Sequence, residues 1–174
     1  MKRIKQWLVL AALLLVSGTT MAQFTIPGTA VSFKLDNTEW RYLRTFTEKT
    51  GINVYYYCYV GEVITDAEGD TVLPLMRIYV RENYQGDVYE LAYERYEQQP
   101  YQSLREWTKG EGLPRSGGLG HEAMYTNPTD QQDYHFLMTY FKDHRTIVEF
   151  RLETTRDTYE EMEVKFKKIL NSIK

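Results

Sequence analysis

Between residues 30 and 153 the apolar side chains of this 174-residue chain recur at every second position in most segments, and residues 158–173 sustain a long helical period. A strand turns alternate residues to opposite faces, so this pattern commits the chain to packed sheets joined by hairpins. Expected strands cover residues 30–35, with Val31, Phe33 and Leu35 on one face, then 40–46, 52–64 and 73–81. Residues 121–126, 134–141 and 146–153 complete the set, the last two carrying the strongest β-signal. The cluster Asp66-Ala67-Glu68-Gly69-Asp70 reads as a hairpin loop, and Asn127-Pro128-Thr129-Asp130 as a turn. Residues 88–96 fit both periods, and their dense tyrosines favour a strand. Residues 103–109 read as a short helix with Leu104 and Trp107 inward, ended by Gly110, Gly112 and Pro114. In the final helix Tyr159, Met162, Phe166, Ile169, Leu170 and Ile173 share a face, Asp157 and Glu160 have capping-box spacing, and Glu161 can pair with Lys165.

Alternation also predicts a register. Val148, Phe150 and Leu152 alternate with Glu149, Arg151 and Glu153, which marks the apolar set as the buried face. If Phe136, Met138 and Tyr140 share that face, opposed residues sum to an even number and the loop has three or five residues, or a bulge. Asp143 or His144 is then a candidate for positive φ, and His135 faces away from Val148 and Phe150.

The N-terminus is expected to be an export signal occupying residues 1–22. Lys2, Arg3 and Lys5 precede an apolar run from Trp7 to Val16, and Thr20-Met21-Ala22 supplies small residues for cleavage between Ala22 and Gln23. The run is too short to span a bilayer of about 30 Å, and the absence of cysteine near the cleavage site leaves no lipid attachment point. With 22 of 174 residues removed, 152 remain, the size of one domain. Removing three cations from a formal net charge of −3 leaves −6, which argues against nucleic acid or anionic lipid as a partner. Cys58 is the single cysteine, so no intramolecular disulfide can form, and its place beside Val54, Tyr56 and Val60 makes it a buried, inert thiol.

Candidate chemistry is sparse. His121, His135 and His144 match no compact metal-ligand spacing, and His121 and Glu122 point to opposite strand faces. Asp66, Glu68 and Asp70 lack the glycine and distal glutamate of a calcium loop. The stretch Ser116-Gly117-Gly118-Leu119-Gly120 lacks the Lys and Ser/Thr of a phosphate cradle and reads as a flexible loop. Ser32, Ser103, Ser116 and Ser172 stand in no nucleophile-elbow context. No catalytic, cofactor-binding or metal-binding residue is assigned, and no cofactor is expected. Fifteen tyrosines, with Tyr55, Tyr57 and Tyr59 on one strand face, mark either a packed sheet face or a glycan- or protein-docking stripe.

The order of these pieces carries a resemblance. A Phe24-Thr25-Ile26-Pro27-Gly28-Thr29 lead-in, Val31-Ser32-Phe33, Trp40-Arg41-Tyr42-Leu43, Gly120-His121-Glu122-Ala123 and the closing Phe166-Lys167-Lys168-Ile169-Leu170-Asn171-Ser172-Ile173 resemble the PsbP-like family, which takes in Mog-type proteins and exported bacterial relatives. The resemblance implies an α+β fold over residues 23–174, an antiparallel sheet sandwiched by helices with a C-terminal amphipathic helix, and no shared active site. The expected function is a non-enzymatic binding or adaptor domain of the cell envelope, periplasmic or secreted. Its partner would be an envelope protein, small ligand or glycan. The alternatives are an envelope hydrolase or metal-dependent enzyme using His121 or His135, and a tyrosine-faced glycan-binding module.

Overall fold

A computed structural model describes residues 21–107, Leu113 and residues 118–174. The basic and apolar parts of the expected signal, the end of the expected short helix and residues 114–117, part of the expected glycine-rich loop, lie outside the described residues.

Among the described residues there are eleven strands: β1 (Met21–Thr25), β2 (Ser32–Asp36), β3 (Trp40–Thr47), β4 (Asn53–Tyr59), β5 (Ile64–Thr65), β6 (Thr71–Val72), β7 (Leu75–Arg81), β8 (Gln102–Trp107), β9 (Leu119–Thr126), β10 (Asp133–Asp143) and β11 (Thr146–Thr155). Helix α1 spans Val88–Gln98 and α2 Tyr159–Leu170. Seven strands form one antiparallel sheet in the order β3-β4-β7-β11-β10-β9-β8. The β1–β2 hairpin and α2 cover one face, packing Phe33, Leu35, Met162 and Phe166 on Tyr57, Met76, Ile78, Phe150 and Leu152. Helix α1 covers part of the other through Val88, Leu91 and Ala92, against Phe136, Met138 and Tyr140. The fold is therefore α+β with helices on both sides of an antiparallel sheet.

Four expectations about elements are corrected. Residues 88–96 are helical: Asp87 accepts from the backbone amides of Tyr89 and Glu90, while the Glu90 carboxylate accepts from the Asp87 amide. This reciprocal cap satisfies amides the helix leaves free, and it outweighs the strand preference of tyrosine. Residues 103–109 contain no helix among the described residues; Gln102–Trp107 is an edge strand paired with β9, and Leu104 is exposed rather than inward. At α2 the cap residue is Thr158, whose hydroxyl turns back to Thr154 and Thr155 rather than capping the helix, and the Asp157 carboxylate accepts from the Ala67 amide at 2.5 Å. Lys165 reaches Glu39 at 2.8 Å rather than Glu161.

The hairpin register is also corrected. Asp143 pairs with Thr146 across a two-residue turn, so Leu137 opposes Leu152, Met138 opposes Arg151, and opposed residues sum to odd numbers. Positive φ does fall on His144, at 54°. Residues 136–141 are buried throughout, so β10 has no polar face to distinguish one register from the other, and the turn decides. His135 consequently shares the face of Leu152 and opposes Thr154. Burial of only one face of β11 is overturned with it: Glu149, Arg151 and Glu153 are buried beside Val148, Phe150 and Leu152.

Candidate functional site

The buried polar face of β11 is the starting point. Glu149 has no exposure at all, and Arg151 and Glu153 retain 6% and 5%. Strand β7 places Arg77 opposite Arg151 and Tyr79 opposite Glu149. Helix α1 crosses this face so that its C-terminal end brings Arg95, Gln98 and Gln99 over the strands. Arg95 Nε donates to Glu149 Oε2 at 2.7 Å, and an Arg151 terminal nitrogen to Glu149 Oε1 at 3.3 Å. The other Arg151 terminal nitrogen donates to Gln99 Oε1 at 2.9 Å, while Arg77 donates to Glu153. Planar groups stack around these bonds, with Arg95 4.7 Å from the Tyr79 ring centre, Arg151 5.3 Å from that of Phe136 and Arg77 5.5 Å from that of Tyr56.

Burial works against the charge on Arg151, but the Glu149 carboxylate more than offsets it and the guanidinium is held protonated. Burial raises the Tyr79 hydroxyl, so it remains a neutral donor. The network opens into a cavity of about 650 Å³ lined by Arg77, Tyr79, Arg95, Gln99, Tyr125 and Arg151 among others. Arg77 Nε, Arg151 Nε and Glu153 Oε2 are buried without a hydrogen-bond partner. Buried polar atoms are almost always paired, so the unmet Nε–H groups of two arginines that line this cavity, with Glu153 beside Arg77, mark a place whose polar capacity the protein itself does not fill. The arrangement can hold a polar molecule through fixed guanidinium, amide and carboxylate groups.

The residues singled out from sequence are dispersed. His121 lies on the α1 side, 3.6 Å from Glu106, with the rings of Tyr101 and Tyr140 edge-on to it. Burial lowers its pKa and neither ring nitrogen has a hydrogen-bond partner. His135 lies on the α2 side, bonded to Glu122 at 3.0 Å and stacked on Tyr159 with ring centres 3.4 Å apart. Burial also lowers its pKa, against the pull of Glu122. The two histidines therefore stand on opposite sheet faces and cannot serve one centre, while His144 is at an exposed turn. Among the described residues no group of three His, Cys, Asp or Glu could hold a metal ion.

Asp66 accepts from the Asp70 amide at 2.7 Å and Gly69 has φ of 89°, which makes this cluster the β5–β6 turn. Gly118 is buried, and a Cβ there would come within 2.9 Å of the Phe141 ring, so close packing rather than flexibility calls for this glycine. Cys58 is buried. Tyr57 and Tyr59 are buried beneath α2 and the β1–β2 hairpin, with Tyr55 partly buried beside them, and burial raises the Tyr57 hydroxyl to about 12. The expected tyrosine stripe is core. Exposed tyrosines lie elsewhere: Tyr42 on β3 retains 50% of its surface, and Tyr89, Tyr93 and Tyr96 on α1 retain 58%, 63% and 46%.

Sequence reasoning missed Arg77, Arg95, Glu149, Arg151 and Glu153. Charges alternating with apolar residues on β7 and β11 look like a solvated face until α1 is recognised as a helix that needs a sheet to lie on.

No family model matches the sequence, and no curated protein matches it. Solved structures do share the fold. The solution structure of cyanobacterial PsbP (CyanoP) from Synechocystis sp. PCC 6803 is similar with a TM-score of 0.58 at 10% identity, covering 91% of this chain and 94% of that one. The crystal structure of the Saccharomyces cerevisiae Ran-binding protein Mog1p gives 0.54 at 12% identity, covering 87% and 86%. The chain thus has the PsbP/Mog-like fold that its motifs resemble.

Proposed function

We propose that the protein is an exported, non-catalytic binding domain of the cell envelope and that the cavity over Arg77, Arg95 and Arg151 receives its ligand. The observation carrying this reading is the buried Arg–Glu network with unmet polar atoms at an open cavity. Burying ions costs several kcal/mol each, and apolar residues of similar size commonly serve stability as well or better. Retaining three arginines and two glutamates here therefore points to recognition. Export rests on the basic, apolar and small-residue sections of the first 22 residues, with the processed protein periplasmic or secreted. Among the described residues no helix is long and apolar enough to cross a membrane.

Native mass spectrometry of the protein recovered from the envelope fraction tests both parts. The expected mass begins at Gln23, and incubation with low-molecular-mass envelope material yields a discrete adduct that is lost in a Tyr125→Ala/Asn127→Ala variant. An unprocessed N-terminus contradicts the export reading; no adduct, or one indifferent to the variant, contradicts the cavity.

A further inference from the structure

The arginine cavity does not end at Arg77. A second cavity, of about 410 Å³, adjoins it, and Arg77, Tyr125 and Asn127 line both. Together they form one groove whose charge reverses along its length. The first cavity is lined by Arg77, Arg95 and Arg151 against the single carboxylate of Glu48. The second is lined by Asp66, Asp70 and Glu153 against the single guanidinium of Arg77.

Each end also holds a buried polar atom that lacks a partner. Arg151, 6% exposed, lines the first cavity and its Nε–H is unmatched; Glu153, 5% exposed, lines the second and its Oε2 is unmatched. One end therefore carries a guanidinium and the other a carboxylate, each with hydrogen-bonding capacity beyond its ion pair that no protein group uses. Between them lie the Arg77 guanidinium, also with an unmatched Nε–H, and the Asn127 amide and Tyr125 side chain. Such groups suit peptide carbonyls and amides, which need both donors and acceptors.

We infer that the groove binds a short zwitterionic peptide, its carboxylate toward Arg95 and Arg151 and its ammonium toward Asp66, Asp70 and Glu153. The inference rests on the proposed reading of the cavity as the ligand site. An extended tripeptide spans about 10 Å, and the two cavities are of the size that encloses small ligands. Each terminus makes charge-assisted hydrogen bonds in a partly desolvated setting, where such bonds are strongest.

Isothermal titration of the processed protein with trialanine, its N-acetyl form, its C-terminal amide and the doubly capped form tests this. Trialanine should bind, each single cap should weaken binding about tenfold, and the double cap should weaken it further. Asp70 is exposed, so Asp70→Asn should preserve the fold while shrinking the penalty of N-acetylation and leaving that of amidation. Arg151→Gln should do the converse; should it fail to fold, the caps on the wild-type protein still decide. Absence of trialanine binding, or equal binding of free and capped forms, overturns the inference. If envelope material still forms a groove-dependent adduct, the cavity reading survives that failure; if the adduct too is lost, both fall.

Discussion

Glu149 is the residue on which the charged network turns, since it accepts from both Arg95 and Arg151 with no exposure to solvent. Glu149→Ala should destabilise the protein by about 3–5 kcal/mol, because two guanidiniums would remain buried without their shared counter-charge. Urea denaturation measures this, and Glu149→Gln, which keeps hydrogen-bond capacity, should cost less. Histidines set a pH dependence. Burial holds His121 and His135 below the usual histidine pKa, so the unfolded chain binds protons that the folded chain refuses. Their contribution is fully present above about pH 6.5 and is lost as pH falls from there through the lowered folded values. Thermal midpoints should decline from pH 7 to 5, and His121→Phe should flatten that decline. At this scale the sequence was legible wherever one residue's partners were local. Cys58 was readable as buried because its own strand supplied the apolar pattern. Arg151 was not: its counter-charge Glu149 is local, but the roof that buries the pair, Arg95 and Gln99, comes from more than fifty residues away.

Among the elements, α1 shows how a local signal was outweighed in reading and dominant in folding. Asp87 and Glu90 form the capping box that β-favouring tyrosines obscured, and Asp87→Ala should cost about 1 kcal/mol, measured by denaturant unfolding. Helix α2 was legible outright, since its buried Met162, Phe166, Ile169 and Leu170 follow the helical period. Phe166 is fully buried against Trp40, with ring centres 6.2 Å apart, so Phe166→Ala should lose about 3–5 kcal/mol. A loss below about 1 kcal/mol would make the helix peripheral. The hairpin register lay beyond the alternation argument for a physical reason. Both faces of β10 are apolar, so the pattern is degenerate and the two-residue turn at His144 and Arg145 selects the pairing. Strand β8 escaped for a related reason: it is an edge strand with Leu104 exposed, held by pairing with β9 rather than by a face that packs.

For the whole molecule, a seven-stranded sheet with one face devoted to the main core leaves the opposite face free to carry charge, and α1 covers only part of it. The uncovered part becomes the groove, walled by the end of α1 and the β5–β6 turn. Fold class was readable from period, order and family resemblance; the groove was not, because it joins residues from β7, α1, β9 and β11 that acquire a common purpose only after the sheet is assembled. The central claim is that this groove, rather than the buried tyrosine face or the exposed tyrosines of α1, is where the protein meets its ligand. The most direct measurement is a side-chain ¹⁵N–¹H spectrum of the arginine Nε–H groups, recorded as low-molecular-mass envelope material is added. Arg77 and Arg151 should shift together along one saturating curve while Arg41, exposed on the edge strand β3, stays in place. Arg77 and Arg151 signals that stay unmoved to the end of the titration would contradict the account.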